Sequence, residues 1–236
     1  MAIDKNSNSF TFIFAFIMVV VVGTILAAIS TGLNPIQKEN EMNKKKMDIL
    51  TAIGVESTRK NASDVFEQYV QKSVVIDKDG KVVDGTEAFD IDVKKQYRDK
   101  KLTESDKVYP LYEATKDGKT YYIIPMVGKG LWGPIWGYVA LEDDYQTVYG
   151  ASFDHKSETP GLGAEIKYDK FLDQFPGKKI MQGNDYKKLK VIKPGKEADP
   201  DHAVDGITGG TITSKGVEEM MDRTFQIYLK YFNSKN

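Results

Sequence analysis

The sequence predicts an α+β protein: a single N-terminal transmembrane helix followed by a soluble domain with a largely antiparallel sheet flanked by helices. Three observations carry this. An uncharged apolar run stands at Phe10 to Ile29. The centre of the chain holds β-rich segments joined by short Asp-Gly turns. Apolar residues at helical spacing bracket that centre, near Met42 to Ile53 and again beyond Ser214. The predicted division is a tail at 1–9, the span at 10–31, a helical connector at 32–60 and the soluble domain at 61–236.

The first element follows from length. An apolar run of about twenty residues, at about 1.5 Å per residue, matches a hydrocarbon layer of roughly 30 Å. A cleaved signal peptide has an apolar region of only roughly 7–15 residues, so a retained anchor is the better reading. Gly32, Asn34 and Pro35 predict the end of this helix, because proline lacks the amide that the ladder needs. Lys38, Lys44, Lys45 and Lys46 follow the span and only Lys5 precedes it. Counted by positive charge, this predicts a cytoplasmic domain, although large domains translocate with little regard to that count.

Beyond the span, Met42, Met47, Ile49, Leu50 and Ile53 place one apolar face on a helix leaving the membrane. A second helix is predicted over Asp64 to Val70, with Ser63 as its cap. The segment SVVIDKDGKVVDG reads as two short strands about Asp79-Gly80, and the charged stretch after Glu87 as an excursion with a helix near Val93 to Tyr97. Two strands about Asp117-Gly118 follow, then at least two more within GPIWGYVALEDDYQTVYGASFDHK. A short helix at Asp169 to Gln174, a strand near Leu189 to Ile192 and a last helix from Ser214 to Tyr231 complete the order. In that helix Val217, Met220, Met221, Phe225, Tyr228 and Leu229 share a face, and Ser214 is the expected N-cap.

Composition removes several functions. Lys plus Arg is 33 against 34 for Asp plus Glu, so nothing favours nucleic acid as a partner. The absence of cysteine rules out thiolate chemistry and iron–sulfur ligation, and two histidines, His155 and His202, do not suggest a metal site. The sequence has no nucleophile-elbow serine motif, no phosphate-binding loop of the nucleotide-hydrolysing kind and no zinc-protease histidine pair.

Three glycine-marked segments remain: GKGLWGPIWG at Gly128 to Gly137, FDHKSETPGLGAEI at Phe153 to Ile166, and DGITGGTITSKG at Asp205 to Gly216. Taken alone, the first is a bend whose Trp132 completes a core, the second a hairpin loop with His155 as a brace, and the third a turn into a capped helix. The third also crowds hydroxyls around bare backbone, as a place where a hydroxyl is used for chemistry would.

Together, and behind one N-terminal span, these segments make the chain resemble the C subunit of the sodium-translocating NADH:quinone oxidoreductase. The resemblance covers nearly the whole chain. It implies FMN attached through its phosphate to a threonine, within a motif Asp-x-x-(Ser/Thr)-Gly-Ala-Thr. Here the motif falls on Asp205, Thr208, Gly209, Gly210 and Thr211, with Gly210 in place of the usual alanine and Thr211 as acceptor. An anion there lies near a helix start, where free amides favour it by about 0.3–1 kcal/mol. The resemblance further implies that Glu158, Thr159, Leu162, Gly163, Leu131 and Trp132 flank the flavin ring, with Thr213 and Lys215 near the phosphate.

In functional terms the resemblance implies an FMN-binding electron carrier in a multi-subunit membrane redox complex, matured by a flavin transferase. It also implies the cell inner membrane, with the large domain outside the cytoplasm, against the lysine count. The G subunit of the related ferredoxin:NAD oxidoreductase complex shares the motif and is the nearest alternative; an unflavinylated, membrane-anchored binding domain is the other.

Overall fold

A computed structural model describes residues 7–197 and 199–235, so residues 1–6 of the expected tail, with Lys5, lie outside the described part. The chain divides into two compact units, Met1–Lys44 and Lys45–Asn236. The first helix, α1 (Asn8–Ala52), contains an 18-residue window of mean hydropathy 3.0. Its apolar side chains are bare, from Phe12 through Ile36. Such a surface is unfavourable in water, and it fits a single-pass membrane anchor.

Contrary to expectation, α1 does not end at Gly32 to Pro35; Pro35 lies inside it. Proline removes one rung of the ladder, and the good helix formers from Gln37 to Lys46 carry the helix past that loss. Its last turn is buried, with Ile49, Leu50 and Ala52 fully covered. The true stop is Gly54 at φ 63, with Gly54 N–H returned to Thr51 O and Val55 N–H to Leu50 O, a Schellman ending.

Helix α2 (Ala62–Tyr69) begins one residue before Ser63, so Ser63 does not cap it. Asn61 occupies the cap position, and its Oδ1 accepts from Thr58 N and Oγ1 instead. Five strands follow in simple antiparallel order: β1 (Val70–Ile76), β2 (Tyr109–Lys116), β3 (Lys119–Lys129), β4 (Pro134–Leu141) and β5 (Val148–His155). The β2–β3 turn has Asp117 and Gly118 at φ 52 and 76, the paired positive angles of a tight hairpin. The strand expected after Gly80 is reduced to one bridge, Ile76 to Val82, because the Asp77 carboxylate takes the Asp79 and Lys81 amides. Helix α3 (Val93–Arg98) lies where expected, with Asp92 capping Lys95 N–H.

The sheet is buried on both faces. Alternate residues divide between them: Leu111, Ile124 and Val139 face one core, and Tyr112, Ile123 and Tyr138 face the other. The first core is completed by α5 (Thr211–Asn233) through Val217, Met220, Met221, Phe225, Tyr228 and Leu229, all predicted. The second is completed by the end of α1 through Ile49 and Leu50 and by Ile53 just beyond it. Between β5 and α5 come α4 (Asp169–Leu172), a small pair β6 (Met181–Gln182) and β7 (Asp185–Tyr186), then β8 (Lys190–Ile192) and β9 (Ala203–Asp205). β8 and β9 are parallel, the exception to the antiparallel expectation.

Helix α5 starts at Thr211 rather than Ser214, with Gly210 as N-cap. Ser214 sits inside the first turn, and its Oγ accepts Ile207 N–H at 2.9 Å, tying the preceding loop down instead of capping the helix.

Candidate functional site

The register of the sheet creates the site. Ile135 pairs with His155, so the β3–β4 bend lies beside the chain leaving β5. Helix α5 packs against β3, and Gly216 lets its backbone meet the Lys129 carbonyl. The first turn of α5 thereby comes to the same edge. Three segments that are remote in sequence are now neighbours.

Glu158 joins them. Its Oε1 accepts the Trp132 amide at 2.8 Å and its Oε2 accepts the Thr213 hydroxyl at 2.5 Å. Ser157 Oγ donates to Trp132 O at 3.1 Å, and the Glu158 amide donates to His155 Nδ1 at 3.1 Å. His155 is thus the brace expected of it. The ETPGLG stretch is a turn at Pro160 to Leu162 leading into a 3-10 helix, Gly163–Lys167, rather than a hairpin loop. Gly163 is needed there, since a Cβ would stand 2.5 Å from both Glu158 Oε2 and Thr213 Oγ1.

Loop 206–210 is anchored by Gly206 N–H to Ile192 O, Gly210 N–H to Ile207 O and the Ser214 bond. Gly209, at φ 75, presses on Leu162, whose Cδ2 would lie 2.6 Å from any Cβ. Leu162 therefore sits directly beside the loop that carries Thr208 and leads into Thr211. Both threonines are exposed, and no side chain caps the start of α5, which has no acidic residue in its first turn.

Six of the predicted residues fall into two groups. Glu158, Gly163 and Thr213 are buried supports. Leu131, Trp132 and Leu162 face solvent at 47%, 65% and 41% exposure, and for Trp132 this excludes the core-packing reading. Thr159 is exposed, and its carbonyl accepts the Leu162 and Ala164 amides. Asp205 is held through its backbone by Gln174, with N–H to Oε1 at 2.7 Å and O from Nε2 at 3.2 Å. Lys215 turns to Glu218, at 2.8 Å. Burial alone would raise the Glu218 carboxyl, but the Lys215 ammonium and the Val191 amide hold it below its ordinary value.

Two contributors were missed. Ile212, beside Thr211, is 57% exposed, and its only sequence signal was an apolar residue off the buried stripe of α5. Gln174 had no signal, since its partner lies 31 residues away.

An uncapped helix start beside exposed apolar side chains suits a ligand that is anionic at one end and flat and apolar at the other. Residues 130–226 match the family model described as an FMN-binding domain. A relative from Vibrio vulnificus (strain YJ016), the C subunit of Na(+)-translocating NADH-quinone reductase, is 32% identical over 217 residues, covering 86% of this chain and 85% of its own. The solved structure of the same subunit from Parabacteroides distasonis ATCC 8503 is 42% identical with a TM-score of 0.79, covering 86% of this chain and 98% of its own. Shewanella oneidensis NqrC gives 26% and 0.69, covering 82% and 96%. The chain belongs to the family of C subunits of Na(+)-translocating NADH-quinone reductase.

The residues present fit FMN. Free first-turn amides at the start of α5 suit a phosphate, and the exposed apolar side chains of Leu131, Trp132, Leu162 and Ile212, on the three segments that meet here, suit a flat ring.

Proposed function

We propose that this chain is the electron-carrying subunit of a sodium-pumping NADH:quinone reductase, holding FMN covalently through its phosphate on Thr211. One observation carries the reading: Thr211 is the exposed first residue of a 23-residue helix whose start no side chain caps. An anion on its Oγ1 is favoured by the free amides and the helix dipole. Gly209 and Gly210 leave the hydroxyl open to a flavin transferase, the maturation partner this reading requires.

The flavin supplies one-electron chemistry when bound, and the protein sets its position and surroundings. Leu131, Trp132 and Leu162 exclude water from one face of the ring, and Gly163 and Thr213 hold the wall behind them. Asp205, Thr208, Gly209 and Gly210 shape the loop for the transferase. Thr159 contributes at the edge of the site, and Lys215 adds positive charge near the phosphate once it turns from Glu218. Helix α1 anchors the chain in the inner membrane by a single pass, with the domain on the periplasmic side among the other subunits of the complex.

The test is Thr211→Ala, produced together with a flavin transferase. The denatured band should lose its ultraviolet-excited fluorescence and the intact mass its flavin increment, while Thr208→Ala keeps both. A fluorescent Thr211→Ala band beside a dark Thr208→Ala band would move the attachment to Thr208 and overturn the assignment.

A further inference from the structure

Resting on that flavin reading, we propose that Glu158 is the positioning residue of the site. Its single buried carboxylate locks the Trp132 bend and the first turn of α5 into one frame, so that stacking wall and attachment hydroxyl keep their separation.

Glu158 is 5% exposed, whereas Trp132, whose backbone it grips, is 65% exposed. Both polar groups of the Trp132 backbone are engaged by consecutive residues, the carbonyl by Ser157 and the amide by Glu158. The peptide is thus fixed while the indole points outward. The second carboxylate oxygen reaches Thr213, two residues beyond Thr211 on the same helix. A helix rises only about 1.5 Å per residue, so a clamp on Thr213 is in effect a clamp on Thr211.

The pocket around the carboxylate is closed by two glycines. A Cβ at Gly130 would lie 2.6 Å from Oε1, and one at Gly163 would lie 2.5 Å from Oε2. Any larger residue would push the carboxylate off one partner. Burying a carboxylate is costly unless donors meet it, and here the donors come from the two segments that must be registered. Glutamine can keep both links, accepting from Trp132 N with its oxygen and donating to Thr213 Oγ1 with its nitrogen. Alanine leaves the amide and the hydroxyl unpaired in a closed space.

The experiment uses the full chain labelled with fluorotryptophan, first without flavin. The two tryptophans are Trp132 and Trp136, and Trp136→Phe assigns their fluorine resonances. Glu158→Ala should shift or broaden the Trp132 resonance and leave that of Trp136, which lies under Lys94, in place. Glu158→Gln should stay close to the parent. Flavin incorporation by a transferase should slow by about fivefold or more in Glu158→Ala, the factor one ordinary hydrogen bond represents, and recover in Glu158→Gln. Thr213→Val, which cuts only the helix arm, should also slow incorporation, and it serves if Glu158→Ala does not fold. Parent-like spectra and incorporation in Glu158→Ala or, if that variant does not fold, parent-like incorporation in Thr213→Val would overturn the proposal. So would a Glu158→Gln no better than alanine. A parent chain that takes up no flavin would sink the flavin reading alone, because the unflavinylated fluorine spectra still decide the clamp.

Discussion

Thr208 and Thr211 are both exposed hydroxyls at the entry to α5, and what separates them is the backbone beneath each. Thr211 opens α5, whereas Thr208 precedes a residue in the left-handed region. The motif proposed to mark Thr211 can be read in the sequence because its residues all lie between positions 205 and 211. The inward turn of Glu158 was not, because its partners are 26 and 55 residues away and no local pattern announces them. The residue-scale prediction concerns Gly163. Its missing Cβ leaves room for Glu158 and Thr213 to meet, and both are held by other contacts. Gly163→Ala should cost about 1–3 kcal/mol through overpacking. At about 2–4 °C per kcal/mol for a domain this size, the soluble part should melt roughly 2–12 °C lower. An unchanged melting temperature would show that the close approach is not required.

At the scale of elements, local rules succeeded where an element's determinants lie within it. The Asp117-Gly118 turn and the apolar face of α5 are of this kind. They failed at Pro35 and at Ser214. Helix α1 runs through its proline to a terminal turn buried against Tyr112, Ile123 and Tyr138. Ser214 spends its oxygen on the Ile207 amide seven residues back. One consequence is that the last turn of α1 belongs to the soluble domain. A chain beginning at Gln37 should be a soluble monomer with cooperative unfolding. One beginning at Glu56 loses Ile49, Leu50 and Ile53, each fully buried and worth about 1.5–3 kcal/mol. That loss approaches the whole stability of an ordinary domain, about 5–15 kcal/mol. Near-ultraviolet circular dichroism and urea unfolding of the two chains decide it, and equal midpoints would mean the helix end is dispensable.

For the whole molecule, the lysine count and the family reading point to opposite sides of the membrane. The structure gives two of those lysines other work. Lys45 Nζ donates to Phe89 O and Ile91 O, and Lys46 Nζ donates to Ser63 Oγ. Both ammonium groups also lie over the Phe89 ring, at 4.5 and 5.5 Å. Those contacts weaken the lysine count, and the expectation then follows the proposed family topology, a periplasmic domain. Protease added to intact spheroplasts should remove it, and protection until the membrane is opened would place it in the cytoplasm. By itself the sequence determined the apolar span, the hairpin at Asp117-Gly118 and the buried stripe of α5, and it carries the threonine motif. Each is written in residues a few positions apart, within reach of a helical or strand period. Only the tertiary structure decided where α1 ends, that Trp132 faces outward and that Glu158 faces inward. Those outcomes depend on sheet register and helix packing, which bring together groups that no local period connects.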